Sequence, residues 1–322
     1  MSILDDWFDT LRTLPCFQRL AGHDVTVWND HVADENVLAA RLADTEALVL
    51  IRERTAITAG LLDRLPNLRL ISQRGVYPHV DVDACTRNGV LLSSDTSATG
   101  PSYATAELTW ALMLAAARQL PEQFASLRAG TWQAGVGDTL RGKTLGVLGF
   151  GKLGRVVAGY GRAFGMPVAV WGTERSRTAA AAEGHTVANS QRELFGTADV
   201  VSLHVRLTPA TRGFVTAADL AAMRPSAILV NTSRAGLIEP GALAAALRAG
   251  RPGRAAIDVF DVEPLTDPAD DLLTAPGLIA TPHIGFVTRE EFETQFADVF
   301  DQVNAFAAGT PTHVVNPPGS VR

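Results

Sequence analysis

The sequence predicts an α/β protein made of two open, doubly wound parallel sheets. Short apolar runs, many of them rich in valine and isoleucine, alternate with alanine- and leucine-rich helical patterns. Nearly every position in each run is apolar, which is typical of strands covered on both faces. Such alternation requires right-handed crossovers and therefore produces open parallel sheets. With 322 residues, the chain is long enough for two domains.

The predicted strands form two arrays separated by a helical segment. In the first array, strands are predicted at residues 25–28, 47–51, 68–73 and 90–94, with helices at 35–43, 59–65 and 81–87. In the second array, strands are predicted at residues 144–148, 168–171, 200–205, 227–232, 255–259 and 278–281. Each array therefore supplies the strand–helix–strand units of a doubly wound sheet.

The segment between the arrays, residues 101–120, predicts one long helix with Ser102 as its cap. Its residues 108–117 are apolar on nearly every face, which indicates a helix buried inside the monomer or against a partner. We place a domain boundary near residue 100. A last helix, predicted at residues 289–308, follows the final strand and could return to the first domain.

Composition excludes several classes of protein. A formal charge of −6 and a pI near 5.7, without a run of basic residues, argue against nucleic-acid binding. The N-terminus lacks the pattern of a signal peptide, and no apolar run has the length of a membrane span. Cys16 and Cys85 lie far apart, so neither a zinc site nor a disulfide framework is expected. We expect a cytoplasmic protein without a metal.

A glycine-rich turn follows the first strand of the second array. Gly149 permits a tight turn, Gly151 lets the backbone approach a pyrophosphate, and Gly154 lets the next helix pack closely on the strand. The N-terminus of that helix, predicted at residues 154–164, offers N–H groups to an anion. This turn, with Lys152 and Leu153, predicts a binding site for a nicotinamide dinucleotide.

The following strand, residues 168–171, lacks the acid that usually holds the adenosine ribose. Gly172 stands at the expected position, followed by Thr173 and Arg175. Arg175 and Arg177 could pair with a 2′-phosphate or simply form a solvated helix start. The cofactor is therefore predicted as NAD or NADP, with Thr173 and Arg175 among its contacts.

Three polar residues follow later strands and predict a chemistry. Arg234, Glu263 and His283 each lie just after an apolar run, at the edge of the sheet where the glycine turn lies. Arg234 can hold a substrate carboxylate bidentately and polarise the adjacent carbonyl. His283 can supply a proton near neutral pH, and a carboxylate at Glu263 would favour the protonated ring and fix its tautomer. Together they predict reduction of a 2-oxo acid.

These stretches resemble the D-isomer-specific 2-hydroxyacid dehydrogenases. The matching segments are 149–154, 231–234, 258–264 and 281–285. The resemblance implies a flavodoxin-like substrate domain (residues 1–100 with 289–322) and a Rossmann NAD(P)-binding domain (residues 101–288), with an active-site cleft between them. It also implies that Arg234, Glu263 and His283 are catalytic.

The resemblance further implies contacts to the cofactor and to a second subunit. Thr232, Ser233, Asp258 and Gly285 would line the nicotinamide end, and His204, Val205, Arg206 and Thr211 the adenosine and pyrophosphate end. Members of the family are usually homodimers, with the helix around residues 108–117 in the interface.

The chain departs from the family pattern at two places. Ala235 replaces a common glycine after the arginine, which adds only a methyl group. The loop at Arg74, Gly75 and Val76, where family backbone amides hold the substrate carboxylate, lacks one of the usual glycines. Arg74 and Tyr77 either shape the substrate pocket or pack the loop.

The resulting prediction is an NAD(P)-dependent oxidoreductase that interconverts a small 2-oxo acid and its D-2-hydroxy acid. Glyoxylate, hydroxypyruvate or a larger 2-oxo acid would all fit. The alternative is a dinucleotide-sensing binding protein similar to the family's transcriptional corepressors.

Overall fold

The chain divides into two compact units in a computed structural model that describes residues 1–96 and 103–317. Unit 1 comprises Met1–Thr99 and Thr288–Arg322, and unit 2 comprises Gly100–Val287. The predicted helix cap Ser102 and the preceding Pro101 lie outside the described residues.

The described residues form twelve strands and eleven α-helices. The strands are β1 Ser2–Ile3, β2 Thr26–Val27, β3 Ala47–Val49, β4 Leu70–Arg74, β5 Leu91–Asp95, β6 Leu145–Leu148, β7 Val168–Trp171, β8 Thr186–Val187, β9 Val200–Leu203, β10 Ile228–Asn231, β11 Arg254–Ile257 and β12 Leu278–Ala280. The helices are α1 Glu35–Arg41, α2 Ala59–Leu62, α3 Val82–Arg87, α4 Tyr103–Arg118, α5 Leu120–Arg128, α6 Lys152–Ala163, α7 Glu174–Ala182, α8 Gln191–Thr197, α9 Ala217–Ala222, α10 Ala242–Arg248 and α11 Arg289–Ala307.

Unit 1 contains a five-stranded parallel sheet in the order β2-β1-β3-β4-β5. Four of its strands were predicted, whereas β1 was not, because a two-residue strand at the chain start carries no measurable periodicity. Helix α11 packs on β4 and β5 through buried phenylalanines, among them Phe296 and Phe300, whose rings lie 5.8 Å apart. The last helix of the chain thus completes the core of unit 1.

Unit 2 contains a seven-stranded parallel sheet in the order β12-β11-β10-β9-β6-β7-β8. All six predicted strands are present, and only the two-residue β8 was missed. The chain runs from β6 outward through β7 and β8, then returns to β9 and continues in the opposite direction. Ligands of such sheets bind where this reversal occurs, outside the carboxyl ends of the strands. The predicted α/β class with two doubly wound sheets is confirmed.

Helix α4 is largely covered by its own unit. It packs against α6, β10 and β11, and Trp110, Met113 and Ala117 are buried. Several large apolar side chains remain exposed on α5 and the segment after it, namely Phe124, Leu127, Trp132 and Val136. Much of the apolar surface of residues 108–117 is therefore buried in the core of unit 2.

Both cysteines are buried free thiols, as the prediction of no disulfide framework requires. Within the described ranges, no helix combines the length and apolarity needed to cross a membrane. The same part of the chain contains no group of three His, Cys, Asp or Glu side chains arranged to bind a metal ion.

Candidate active site

The glycine turn after β6 adopts a conformation that only glycine accommodates easily. Gly149 has φ 92°, and a Cβ there would lie 2.7 Å from the main-chain oxygen of His204. A Cβ on Gly154 would lie 2.2 Å from the main-chain oxygen of Gly149. By contrast, no atom lies within 4 Å of the place where a Cβ on Gly151 would stand. Two glycines are thus required for packing, while the third leaves open space beside the backbone.

Helix α6 begins at this open position. Gly151 is its N-cap and provides no side-chain hydrogen bond to the first turn. The first N–H groups of a helix lack intrahelical partners and carry partial positive charge. Lys152 and Leu153 begin the first turn of α6. The open backbone at Gly151 and the uncapped start of this helix therefore fit the pyrophosphate of a dinucleotide.

The end of β7 carries no acid next to the strand. Gly172 and Thr173 follow β7 directly, and the first carboxylate, that of Glu174, is exposed. Thr173 caps α7, because its Oγ1 accepts a hydrogen bond from the N–H of Ser176 at 3.3 Å. The Arg177 guanidinium lies over a tryptophan ring of β7, 4.6 Å from its centroid. Arg175 is exposed, next to the equally exposed Glu174, so the charged side chains at this end of the sheet are open to solvent.

The His204 side chain, a predicted cofactor contact, is half-buried after β9, with its Nδ1 enclosed. Its Nε2 lies 2.8 Å from the hydroxyl of Ser202, and burial lowers the pKa of His204 to about 4. The ring is therefore neutral at pH 7. Its main-chain oxygen faces Gly149, so the structure brings the backbone of His204, not its imidazole, next to the glycine turn.

The other residues predicted after β9 form a connected turn. Val205 accepts a hydrogen bond at its main-chain oxygen from the hydroxyl of Ser233, at 2.9 Å. The Thr211 hydroxyl donates to the main-chain oxygen of Arg206 at 2.7 Å, and the Arg206 side chain is exposed. Ser233 thus ties the turn after β10 to the turn after β9.

The turn after β10 carries Arg234. The Asn231 side chain holds this turn, because its Nδ2 donates to the main-chain oxygen of Arg234 at 3.0 Å and its Oδ1 accepts from the N–H of Ser233 at 3.0 Å. Arg234 is half-buried, and its Nη1 donates to the main-chain oxygen of Ser233 at 2.8 Å. Thr232 is buried, with its hydroxyl 2.7 Å from that of Thr109 on α4.

Glu263 and His283 form a hydrogen-bonded pair. His283 Nδ1 lies 2.6 Å from Glu263 Oε2, and Glu263 Oε1 accepts from the N–H of Phe260 at 2.9 Å. Burial alone raises the pKa of Glu263, but the hydrogen bond and charge of His283, the Phe260 N–H and Arg234 together bring it below its usual range. Glu263 is therefore ionised at neutral pH, and it leaves Nε2 of His283 as the nitrogen that can exchange a proton.

Asp258 holds the loop that carries His283. One of its oxygens accepts from the Thr281 hydroxyl at 2.6 Å and from the Ile284 N–H at 2.8 Å, and the other accepts from the Gly285 N–H at 2.8 Å. Burial raises the pKa of Asp258 despite these bonds. His283 has φ 53°, in the left-handed region that non-glycine residues rarely adopt. The Asp258 bonds keep the loop in this unusual conformation.

The predicted substrate loop lies in unit 1, after β4. The N–H of Gly75 is already bonded to the main-chain oxygen of Asp95 at 2.8 Å, so it cannot also hold a substrate carboxylate. Arg74 Nη1 donates to a main-chain oxygen of α11 at 3.2 Å, which favours a role in packing the loop. Val76 is 44% exposed. Of the three predicted residues, Val76 is therefore the most exposed.

Three residues near these loops escaped the sequence analysis. Arg52 follows β3, and its Nη1 lies 3.0 Å from the place where a Cβ on Gly75 would stand. Thr105 and Thr109 on α4 contact the loops of unit 2 at Gly285 and Thr232. Arg52 could have been found as a charged residue just after an apolar run. The threonines gave no such signal, because their spacing fits any helix.

Comparison with known proteins identifies the family. Residues 110–285 match the family model described as the NAD-binding domain of D-isomer specific 2-hydroxyacid dehydrogenases. The chain belongs to this family. The predicted family is thus confirmed, and its NAD-binding domain supports a nicotinamide dinucleotide as the cofactor.

Individual relatives differ in their names and lengths. The D-3-phosphoglycerate dehydrogenase of Methanocaldococcus jannaschii is 37% identical over 285 residues, which cover 87% of this chain but 53% of that protein. The chain therefore spans about half the length of that relative. The glyoxylate reductase of Aeropyrum pernix is 36% identical over 307 residues, 91% of this chain and 90% of that protein. A crystal structure of a phosphoglycerate oxidoreductase from Vibrio cholerae O395 has a TM-score of 0.92 and 49% identity, covering 96% of this chain and 98% of that one.

Proposed function

We propose that the protein is an NAD(P)-dependent 2-hydroxyacid dehydrogenase that interconverts a small 2-oxo acid and its D-2-hydroxy acid. The observation that carries the proposal is the Glu263–His283 pair, with its 2.6 Å hydrogen bond, on a loop fixed by Asp258. This pair follows strands of the same sheet as the glycine turn, and the carboxyl ends of parallel strands share one edge. A proton donor beside a dinucleotide site is what reduction of a carbonyl group requires.

The cofactor would be held along the carboxyl edge of the sheet in unit 2. The glycine turn would take the pyrophosphate at the start of α6, and the turns after β9 and β10 would line the rest, with Ser233 and the backbone of His204 among the contacts. A bound nicotinamide supplies or accepts the hydride at C2 of the substrate. The chain supplies orientation and the proton.

Arg234 and His283 would act on the substrate itself. The guanidinium of Arg234 would hold the carboxylate and polarise the C2 carbonyl. His283 would donate a proton from Nε2 to the C2 oxygen during reduction and accept it during oxidation. Glu263 stabilises the charged imidazolium and fixes which nitrogen faces the substrate. Asp258 would act through the loop that it holds.

We propose that the loop at Arg74, Gly75 and Val76 binds the substrate. Because the Gly75 N–H is already bonded, the N–H of Val76 would take the carboxylate, while Arg74 packs the loop. Arg52 lies beside Gly75, and a cation there would favour a substrate with a second anionic group, such as a phosphate. The name of the Methanocaldococcus relative supports including phosphorylated 2-oxo acids among the candidates.

For the cofactor, we propose that NADPH binds at least as well as NADH. The support is the end of β7, where Gly172 and Thr173 replace the expected acid and Arg175 is exposed at the start of α7. A carboxylate at this place would repel a 2′-phosphate, whereas a guanidinium can pair with it. Thr173 and Arg175 would be the discriminating contacts.

We also propose a homodimer, with the interface moved from the predicted position. The support is the exposure of four large apolar side chains on α5 and the segment after it, those of Phe124, Leu127, Trp132 and Val136. Helix α4, in contrast, is mostly buried within the unit. Sedimentation of the wild type and of Trp132→Ser with Phe124→Ser tests this, since only loss of the dimer in the variant fits the proposed surface.

The function is tested by initial rates with a panel of 2-oxo acids, each with NADH and NADPH. The panel contains glyoxylate, hydroxypyruvate, its phosphorylated form and longer 2-oxo acids. We expect turnover of at least one, with the D configuration in every product that has a stereocentre at C2. Tight dinucleotide binding without turnover of any 2-oxo acid would contradict the proposal and would favour the dinucleotide-sensing alternative. Arg52→Ala should lower kcat/KM for the phosphorylated substrate only.

A further inference from the structure

Helix α4 presents two hydroxyls to the loops of the active site. Thr105 and Thr109 are four residues apart and so lie one helical turn from each other on the same side. The Thr105 Oγ1 donates to the main-chain oxygen of Gly285 at 2.9 Å. The Thr109 Oγ1 lies 2.7 Å from the main-chain oxygen of Thr105 and 2.7 Å from the Thr232 Oγ1. Helix α4 therefore reaches two loops.

The number of protons fixes the direction of this hydrogen-bond chain. A hydroxyl has one proton, and a carbonyl oxygen can only accept. Thr109 must give its proton to the carbonyl of Thr105, so the bond between the two hydroxyls is donated by Thr232. The chain runs from Thr232 through Thr109 to Thr105. Thr109 is fully buried and Thr232 is 7% exposed, so losing a partner here leaves a polar group without compensation from water.

Each of these loops carries a proposed catalytic residue two positions away. Thr232 precedes Arg234, in the turn that Asn231 also holds. Gly285 follows His283, and its N–H is bonded to Asp258. A Cβ on Gly285 would lie 3.0 Å from the Asp258 carboxylate and 3.4 Å from the Thr105 methyl group. Gly285 is thus held between the carboxylate on one side and α4 on the other.

The strained backbone of His283 depends on the bonds that hold its loop. A residue with φ 53° remains in that conformation only while its surroundings hold it. Asp258 accepts from the N–H groups of the loop, and Thr105 donates to a carbonyl of the loop, so the two sets of bonds are complementary. Without the Thr105 bond, the loop loses the partner that restrains its carbonyl side.

We propose that Thr105 and Thr109 are positioning residues that set the turn of Arg234 and the loop of His283 relative to each other. Neither threonine touches the reacting atoms. Their hydroxyls stand on one rigid helix, so the separation between the carboxylate-binding group and the proton donor follows the geometry of α4. This inference rests on the proposed function, because it assigns a purpose to the spacing of those two residues.

The test compares variants that remove the hydroxyl with variants that keep it. Thr→Val preserves size and removes the hydroxyl, whereas Thr→Ser keeps it. The matched control is Thr197→Val in α8, whose hydroxyl also bonds a carbonyl one turn back, that of Glu193 at 2.7 Å. The melting temperature of each variant is measured first. Then kcat, KM, the pH profile and the Kd of the cofactor are measured at a temperature well below the lowest melting temperature.

The two valine variants should affect different kinetic constants. Thr109→Val should raise KM for the 2-oxo acid about tenfold, because it frees the turn of Arg234. Thr105→Val should lower kcat about tenfold and change the alkaline limb of the pH profile, because it frees the loop of His283. Both serine variants should stay within about twofold of the wild type, and Thr197→Val should match it.

A purely structural role predicts another pattern. In that case the valine variants would melt at lower temperature while kcat, KM and the pH profile stayed at wild-type values, and the proposal would be overturned. Serine variants as impaired as the valine variants would overturn it too, since the hydroxyl would then not matter. If the valine variants do not fold, Thr105→Ala takes their place as the variant without a hydroxyl. It is compared with the two serine variants, and the same outcomes support or overturn the proposal. A wild type that turns over no 2-oxo acid contradicts the proposed function instead.

Discussion

Two strand ends of the seven-stranded sheet are built in opposite ways. At the ends of β11 and β12, Asp258, Glu263 and His283 are bonded to the backbone or to each other within 2.6–2.9 Å. At the end of β7, Thr173 only caps α7, Arg177 only stacks on a ring, and Arg175 is exposed. The first region has one defined geometry, whereas the second can exchange side chains at little structural cost.

If the proposed function holds, this difference separates the residues of the reaction from those that select the cofactor. Proton transfer and carbonyl polarisation need groups fixed to within fractions of an ångström, which explains the bonded network. Discrimination between NAD and NADP needs only a charge near the ribose, which an exposed side chain provides. Substitutions in the first region should therefore reduce turnover with both cofactors. Those in the second should change the cofactor and leave the chemistry intact.

The largest effect is expected for His283→Ala. Loss of the proton donor should lower kcat by about 10²–10⁴ with either cofactor, because only the chemical step is changed. The Kd values of NADH and NADPH should stay near those of the wild type. His23→Ala, which removes a histidine of unit 1 that bonds to Asn304, is the control. Unchanged turnover in His283→Ala would remove His283 from the mechanism.

A smaller effect is expected for Glu263→Gln. It should lower kcat about tenfold or more, because the imidazole loses the carboxylate that bonds its Nδ1 and fixes which nitrogen faces the substrate. The pKa of Glu263 is below its usual range in the folded protein. Its contribution to stability is therefore present above the ordinary glutamate pKa and is lost as pH falls through the lower folded value. Melting temperatures against pH should show this loss in the wild type and not in Glu263→Gln.

At the end of β7, the effect should be confined to the cofactor. Replacing both Arg175 and Arg177 with alanine should weaken NADPH about tenfold while NADH changes little. Thr173→Asp keeps a good helix cap and adds a carboxylate, so it should weaken NADPH and improve NADH. Titrations monitored by cofactor fluorescence give both Kd values. Equal changes in the two Kd values would show that these residues do not contact the 2′-phosphate and only form a solvated helix start.

His204, at the end of β9, should affect stability and leave the neutral-pH reaction unchanged. Burial lowers the pKa of His204 from 6.5 to about 4. Between pH 4 and pH 6.5, the histidine is therefore protonated more in the unfolded chain than in the folded one. Stability is therefore lost as pH falls below 6.5, by up to about 3 kcal/mol from this residue. Urea unfolding of the wild type and His204→Asn at pH 7 and pH 5 measures the change. An equal loss in both proteins would show that His204 is not its source.

The sequence was informative where function depends on local chemistry. Gly149, Gly151 and Gly154 were predicted from spacing, because their roles follow from backbone geometry over six residues. Arg234, Glu263 and His283 were predicted because polar residues at strand ends stand out from apolar runs. The parallel sheets followed from the same runs, since burial on both faces leaves a clear pattern.

Features that depend on tertiary packing could not be predicted in the same way. Thr105 and Thr109 look like any helical threonines until β10 and β12 are placed beside α4. The long apolar stretch of α4 is compatible with a core or an interface, and the sequence alone does not show that α6 and the sheet pack against it. Strands β1 and β8 have two residues each, too few for a period. The closeness of Arg52 to Gly75 likewise depends on the order of strands in unit 1.

The central claim is a hydride exchange at C2 of a 2-oxo acid, with the proton supplied by the chain. It is tested most directly by reducing the best substrate with NADH or NADPH deuterated at C4 of the nicotinamide, followed by mass and chiral analysis of the product. The account predicts deuterium at C2 of the D-2-hydroxy acid and solvent hydrogen on its oxygen. Solvent hydrogen at C2, or a product of L configuration, would contradict it.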